Sequence, residues 1–416
     1  MNVLVIGSGG REHAICKSIS NSNLLSKLYC SPGNPGISSI AECVTIDVNN
    51  NADVLDFCKT SNIDMVIVGP EIPLANGMVD YLETGGVKTF GPNSSAAELE
   101  SSKIFMKEIC KKYELPTAKY EEFSDPESAF KYVSNSVYPI VIKADGLAAG
   151  KGVTIAHNVG DANNAITNCL IDHKFGNSGN KIVIEEFLDG KEASYFVITD
   201  GHTILPLGFA QDYKPIFDGN EGPNTGGMGS YTPVSFISDN LTDEIFSLTK
   251  RLVDSMKAEG RIYKGILYMG MILTSDGPQI LECNVRFGDP ECQVLLPRLK
   301  TDFLNIADLV CDGRLNTLSE IIFNDGYSFC LVLAAKGYPE NPIKGSEIII
   351  EDSEHVLHAG TIIQDSKLLS NGGRVLNIIT TGESLNLARG KAYKLINNIK
   401  WKDMYYRTDI GLIENE

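Results

Sequence analysis

The first hundred residues constrain the fold most, because apolar runs and helical stretches alternate there at short intervals. Residues 3–6, 28–30, 44–46, 65–68 and 88–90 read as strands, and 12–20, 52–60 and 74–84 read as helices between them. That alternation is the pattern of an open parallel sheet with helices on both faces. Ligands of such sheets gather outside the carboxyl ends of the strands. Three loops fall there: Gly7-Ser8-Gly9-Gly10-Arg11-Glu12, Pro32-Gly33-Asn34-Pro35-Gly36 and Gly69-Pro70-Glu71. They are expected to share one crevice.

The first loop admits two readings. Its glycines let backbone N–H groups and a helix N-terminus approach an anion, and they equally make a tight strand-to-helix turn. A dinucleotide fingerprint is not met. It would want glycine at position 12, where Glu12 stands, and an acidic residue after the second strand, where Ser31-Pro32-Gly33 stands. An NAD-dependent oxidoreductase is set aside on that ground, and a phosphate-bearing substrate stays open.

At 416 residues the chain exceeds the ~250–300 that one core usually serves, so several domains are expected. A net charge of −17 argues against a nucleic-acid binder or a peripheral membrane protein, both of which need a basic footprint. Anionic substrates remain open, since a few lysines, arginines and a metal make a local positive pocket. Ten cysteines without a Cys-x-x-Cys pair suggest reduced thiols in place of disulfides or a zinc site. His355-x-x-His358 reads as a surface or packing feature. The chain starts directly in a strand, and no apolar run approaches the ~20 residues needed to span a bilayer. A soluble, cytoplasmic protein is expected.

Further along, residues 94–113 read as a helix containing Ser101-Ser102-Lys103, where a lysine is ordinarily a solvated face residue. Residues 139–143 read as a strand ending in Lys143, followed by Ala144-Asp145-Gly146-Leu147-Ala148-Ala149-Gly150-Lys151-Gly152-Val153. This glycine loop links two strands, so it is not a Walker loop. It suits a lid over nucleotide phosphates, with a mobile hairpin tip as the plainer reading. The strand 182–188 ends in Glu185-Glu186-Phe187-Leu188 and turns at Asp189-Gly190 toward Glu192. Such an end offers backbone groups to an adenine and a carboxylate to ribose hydroxyls, or is a strand and turn only. Gln211-Asp212-Tyr213-Lys214 then leads into Gly222-Pro223-Asn224-Thr225-Gly226-Gly227-Met228-Gly229, a loop of unobstructed backbone N–H groups.

An apolar run at 264–273, a Ser275-Asp276-Gly277-Pro278 turn and residues 279–284 read as a hairpin. Strand alternation puts Ile280, Glu282 and Asn284 on one face, with Leu281 and Cys283 on the other. A carboxylate and an amide oxygen two residues apart suit a hard cation such as Mg2+. Arg286 and Asp289 follow in a Gly-Asp-Pro turn able to present a fork donor to an anion. After a helix near 302–311, residues 328–335, 348–350, 356–361 and 374–380 read as strands and 384–399 as a helix. This last segment is expected to be a compact α+β domain, with Gly372-Gly373-Arg374 pointing into the shared site.

Four stretches in order carry a resemblance. They are Gly7-Ser8-Gly9-Gly10-Arg11-Glu12-His13-Ala14, the run from Lys143 to Val153, Pro223-Asn224-Thr225-Gly226-Gly227-Met228-Gly229, and Arg286-Phe287-Gly288-Asp289-Pro290-Glu291. Over essentially its whole length the chain resembles the glycinamide ribonucleotide synthetases (phosphoribosylamine–glycine ligases), a purine-biosynthetic branch of the ATP-grasp family. The resemblance implies a chain of α/β and α+β domains. An N-terminal pre-ATP-grasp domain with an open parallel sheet would occupy 1–101. A two-lobed ATP-grasp region would occupy 102–325, with a mobile lid lobe at about 119–190, and an α+β C-terminal domain 326–416. It also implies that glycine is joined to 5-phosphoribosylamine through glycyl phosphate, with ATP converted to ADP and phosphate.

By matching positions, Lys103 and Lys143 would hold ATP phosphates under a lid that includes Gly146, Gly150, Lys151 and Gly152. Glu185, Glu186, Phe187 and Leu188 would clasp adenine, and Glu192 the ribose. Glu282 and Asn284 would bind Mg2+ or Mn2+. Asp212, Arg286 and Arg374 would orient glycine or the acyl phosphate, and Gly9 and Gly10 the sugar phosphate. Partners would be small molecules, with neither nucleic acid nor membrane, in a monomer or weak homo-oligomer. The chain departs from the family in one loop, having Asp212-Tyr213-Lys214-Pro215 where Asp-His-Lys-Arg is usual. The rival readings are an ATP-grasp ligase with another acid or amine and a catalytically silent nucleotide-binding regulator. Intact Lys103, Lys143, Glu282 and Asn284 argue against the second.

Overall fold

The computed structural model describes residues 1–148 and 152–412. Asn2–Gly7 pairs in parallel with Lys27–Pro32 on one side and Met65–Val68 on the other, and Glu42–Cys43 and Lys88–Phe90 complete a five-stranded parallel sheet. Strand order reverses at Asn2–Gly7, which opens a crevice at its carboxyl end. Two expectations need correction. The strand at 44–46 is instead the two-residue Glu42–Cys43, and Val44 and Ile46 pack against the core from a loop. The helix at 74–84 is two helices, Glu71–Ala75 and Met78–Thr84, parted at Gly77 with φ of +78°, a conformation that glycine adopts without strain.

The centre of the molecule is a nine-stranded sheet. Gly277–Asn284, Gly265–Thr274, Lys191–Thr199, Ile204–Asp212 and Gly229–Thr232 lie side by side, all antiparallel. The sheet then continues into Tyr327–Ala335, Arg374–Gly382 and Val356–His358, and the short Met404–Tyr405 pairs with the end of Tyr327–Ala335 as the ninth strand. The last segment therefore does not stand apart. It keeps its own core around Phe329, Leu331, Val375 and Leu376, yet Ser230 pairs with Cys330 across the junction.

Tyr120–Phe123, Ile182–Glu186, Ile140–Ala144 and Val153–Ala156 form a separate four-stranded antiparallel sheet. Helices Pro126–Val133 and Val159–Ile166 cover it, over a core that includes Ala129, Val133, Ile142, Ile166 and Ile184. This lobe is a packing unit of its own. Among the described residues no helix is long and apolar enough to cross a membrane.

Helix Gly10–Ile19 packs against Val356–His358, where His13 Nδ1 accepts from the His358 amide at 2.8 Å and the two rings lie 6.0 Å apart. His358 is thus a buried packing residue. Burial holds His13 down at about 3 and His358 at about 4, against an ordinary 6.5. The folded state keeps both neutral, so stability is lost as pH falls from about 6.5 through those values. His13→Gln keeps an acceptor but cannot take a proton. It is expected to move the midpoint of acid unfolding, followed by circular dichroism, to lower pH; an unmoved midpoint would assign the acid sensitivity to other groups.

Candidate active site

The hairpin Gly265–Thr274 and Gly277–Asn284 has a register irregularity, with Gly270 opposite Glu282 and Met271 opposite Ile280. Leu281 is the extra residue of a bulge. It overturns the simple alternation: Ile280 joins Cys283 in the core. Glu282 and Asn284 remain neighbours, half-buried, with Asn284 Nδ2 donating to Glu282 Oε1 at 3.3 Å. A Cβ on Gly270 would lie 2.7 Å from Glu282 Cγ, so glycine there makes room for the carboxylate. Burial opposes its charge, but Lys214, Lys143 and Lys103 together outweigh that and hold the carboxyl below its ordinary value. A carboxylate and an amide oxygen side by side, with ammonium groups around them, fit a hard divalent cation that shares its load with phosphates.

The helix expected at 94–113 is two helices, Ser94–Ser101 and Lys103–Lys112, parted at an extended Ser102. The break exposes amides at a helix N-terminus, which need acceptors. Asp145, at the start of the glycine loop, supplies them. Its Oδ1 accepts from Ser102 Oγ at 3.0 Å and from the Ile104 amide at 2.8 Å, and its carbonyl accepts from the Lys103 amide at 3.1 Å. Lys103 Nζ donates to the Gly146 carbonyl at 3.1 Å. On the far side the Gly146 amide donates to Ser178 O at 3.1 Å, and Ser178 Oγ to Leu147 O at 2.8 Å. The Gly152 carbonyl accepts from Ala144 at 2.8 Å. Gly150 and Lys151 lie outside the described residues.

Lys143 Nζ donates to Leu281 O at 3.1 Å and sits 3.0 Å from Glu185 Oε2. Lys107, one turn on from Lys103 and fully buried, reaches the same oxygen at 3.2 Å. Glu185 therefore lies between two ammonium groups, and its side chain belongs to the lysine wall. Of the segment expected to clasp adenine, the Glu186 amide is already taken by Lys119 O at 3.0 Å. Phe187 is exposed and Leu188 half-buried. Glu192 Oε2 meets Lys214 Nζ at 3.3 Å.

Asp212 and Lys214 share their surroundings with Glu192 and Glu282. Tyr213 instead packs against the C-terminal core, with the Arg407 guanidinium 5.2 Å from its ring centre. Arg407 also donates to Pro215 O at 3.0 Å. The two residues that depart from the family pattern are thus engaged by Arg407, while Asp212 and Lys214 stay with the acid cluster.

The turn at 286–291 ties these parts together. Arg286 Nε meets Glu71 Oε2 at 2.9 Å and its Nη2 meets Glu100 Oε1 at 2.7 Å. Burial works against the Glu71 charge, but Arg286 and Arg11 prevail and hold it down at about 2. Asp289 Oδ2 lies 3.2 Å from Arg374 Nη2, and its Oδ1 accepts from Gln293 at 2.6 Å. Arg374 Nη1 donates to Gly226 O at 2.9 Å. The Gly9 amide donates to Glu12 Oε2 at 2.7 Å, and a Cβ on Gly9 would lie 3.5 Å from Asp289 Oδ2. Gly10 sits so close to Asn377 Nδ2 and Gln293 Nε2 that a Cβ would fall within 2.3 and 2.8 Å of them.

Gly9, Gly10, Arg286 and Arg374 thus meet in one region, while Lys103, Lys143, Glu282 and Asn284 meet in the adjoining one. Residues not singled out from sequence are Lys107, Asp145, Glu71, Glu100 and Glu291. Lys107 is signalled by its i, i+4 spacing from Lys103. Asp145, Glu71 and Glu291 stand inside stretches quoted for their neighbours. Glu100 carries no local signal.

Family models described as the phosphoribosylglycinamide synthetase N domain, ATP-grasp (A) domain and C domain match residues 1–100, 101–292 and 328–413. The chain is 44% identical over 420 residues to the phosphoribosylamine–glycine ligase of Brucella melitensis, covering 99% of this chain and 97% of that protein. It is 45% identical over 415 residues to that of Caldanaerobacter subterraneus subsp. tengcongensis, covering 99% of each. The crystal structure of phosphoribosylamine–glycine ligase from Thermotoga maritima matches with a TM-score of 0.87 at 33% identity, covering 98% of this chain and 100% of that one. The biotin carboxylase domain of Hydrogenobacter thermophilus 2-oxoglutarate carboxylase shares the fold alone. Its TM-score is 0.76 at 18% identity, over 97% of this chain and 91% of that one. Full-length identity and three matched domains agree with the geometry just described, and the chain belongs to the phosphoribosylglycinamide synthetase family of ATP-grasp ligases, enzymes of de novo purine biosynthesis.

Proposed function

We propose that the chain joins the carboxylate of glycine to the amine of 5-phospho-D-ribosylamine, converting ATP to ADP and phosphate by way of glycyl phosphate. The observation that carries this reading is one segment, 286–291, which follows the Glu282 strand, is tied through Glu100 to Lys103, and lies against the glycine turn at Gly9. A carboxylate is a poor electrophile because it is charged and lacks a leaving group. Transfer of the γ-phosphoryl group supplies one, and the amine then attacks. Such chemistry asks for positioning and charge neutralisation, with no protein nucleophile.

In this reading Lys103 and Lys143 take the ATP phosphates. Glu282 and Asn284 hold Mg2+ or Mn2+, which neutralises phosphate charge when bound. Phe187 and Leu188, with Glu185 and Glu186, bound the adenine, and Glu192 the ribose. Asp212, Arg286 and Arg374 orient glycine and its acyl phosphate, and Gly9 and Gly10 meet the sugar phosphate. The lid with Gly146, Gly150, Lys151 and Gly152 excludes water that would hydrolyse the acyl phosphate. We divide the chain into units 1–101, 102–325 and 326–416, with the lid lobe at about 119–190, and assign the protein to the cytoplasm with small-molecule partners only, as a monomer or weak homo-oligomer.

ADP release with Mg2+, glycine and freshly generated phosphoribosylamine tests the reaction. It should require both glycine and the amine; equal release without the amine, or with other acids, would refute it. Glu282→Gln should leave the fold intact and lower turnover by roughly 10^2-fold, the scale of losing one charge-stabilising group. Near-normal turnover at saturating Mg2+ would remove Glu282 from the ligand set. Arg286→Ala would strand Glu71 and Glu100, so Arg286→Lys is the informative variant, since it keeps the charge and loses the fork. It should raise KM for glycine by about tenfold while KM for ATP moves less than about twofold. Equal shifts would contradict the assigned role.

A further inference from the structure

Glu291 is a buried carboxylate, 3% exposed, at the end of the 286–291 turn and the start of helix Cys292–Arg298. Its side chain folds back over Gly288, where a Cβ would lie 2.2 Å from Oε2. Glycine at 288 is what permits that placement. Ser194 Oγ, bonded to Tyr268 OH at 2.9 Å, lies 3.4 Å from Glu291 Oε1. The charged groups acting on Glu291 are Asp212 and Lys214 from the neighbouring strand end, Asp289 and Arg286 from its own turn, and Arg374 from the C-terminal segment.

Positive charge is already committed in this group. Lys214 pairs with Glu192, Arg286 with Glu71 and Glu100, and Arg374 with Asp289. Burial foremost, then the Asp212 charge, push Glu291 up to about 7, and burial pushes Asp212 up as well. A buried carboxylate that resists ionisation is stabilised when a cation enters beside it. Asp212 lies opposite Ser230 in the sheet, and Ser230 Oγ donates to the carbonyl of Pro290, next to Glu291, at 2.8 Å, so Asp212 sits at the strand end against which this turn packs. A molecule whose carboxylate meets the ATP phosphate and whose amine lies one carbon away would direct that amine to this pair.

We propose that Glu291, with Asp212, seats the ammonium group of glycine and is the residue that makes the site select an amino acid over a plain carboxylic acid. This rests on the reaction proposed above. Acetate offers the same carboxylate but brings no ammonium group to Glu291 and Asp212, and a site built around a polar group rejects an analogue lacking it.

The test is steady-state ADP release by the unaltered enzyme and by Glu291→Gln, with Mg2+, ATP and phosphoribosylamine, varying glycine and adding acetate as a competing acid. In Glu291→Gln the KM for glycine should rise at least about tenfold, with KM for ATP within about twofold. The ratio of the acetate inhibition constant to the glycine KM should fall at least about tenfold, and Glu291→Asp should recover part of it. A merely structural role would not move that ratio. An unchanged ratio, or equal losses for ATP and glycine, overturns the inference while leaving the reaction standing. If the unaltered enzyme shows no glycine-dependent ADP release, the reaction assignment itself fails and this inference falls with it.

Discussion

Arg286, half-buried between Glu71 and Glu100, is the contact on which the arrangement of the site depends. Glu71 begins the helix after the third crevice loop, and Glu100 lies near the end of the helix that leads into Lys103. The two carboxylates reach the guanidinium at 2.9 and 2.7 Å, and Glu100 also accepts from the Val285 amide at 2.7 Å. A buried charge is tolerated only when such partners satisfy it. Because both carboxylates come from the N-terminal domain and Arg286 from the ATP-grasp region, the turn has a fixed place relative to both. Asp289 then orients Arg374, and Glu291 folds back over Gly288 toward Ser194.

The same logic accounts for a chain of net charge −17 that handles anionic substrates. Its acids lie largely outside this cleft, while arginines and lysines are held inside it by selected carboxylates. Glu185 between Lys107 and Lys143 is the clearest instance. It gathers two ammonium groups that would otherwise repel one another at a distance where burial makes repulsion strong. The glycine loop is tied to this wall through Asp145 at the Ser102 break, so the loop and Lys103 start from a common point.

How much of this could be read from the residues alone varied with the range of the interaction. The parallel N-terminal sheet was legible because strand and helix periods are local, and Glu282 and Asn284 were legible because two residues on one strand share a face. Ile280 was misassigned, since the bulge at Leu281 is a property of pairing with Gly270 and Met271, not of its own strand. The break at Ser102 was equally hidden. Its helix-terminal amide at Ile104 is satisfied by Asp145, 41 residues away, and nothing in 94–113 itself calls for an interruption. Glu100 was missed for the same reason, because its partner Arg286 lies 186 residues further on. Tyr213 and Pro215 look like losses in the sequence; the structure gives both a partner in Arg407, nearly two hundred residues later.

The continuity of the nine-stranded sheet bears on how such a protein can be divided. Gly229–Thr232 is hydrogen-bonded on one side to Ile204–Asp212 and on the other to Tyr327–Ala335. A chain cut before Tyr327 would leave Gly229–Thr232 as a bare sheet margin, and an unpaired row of amides and carbonyls is a template for other chains. The C-terminal segment therefore acts as the seal on the sheet as well as the donor of Arg374. A fusion partner joined at either chain end would leave that seal intact, whereas an insertion at the junction would pry it open.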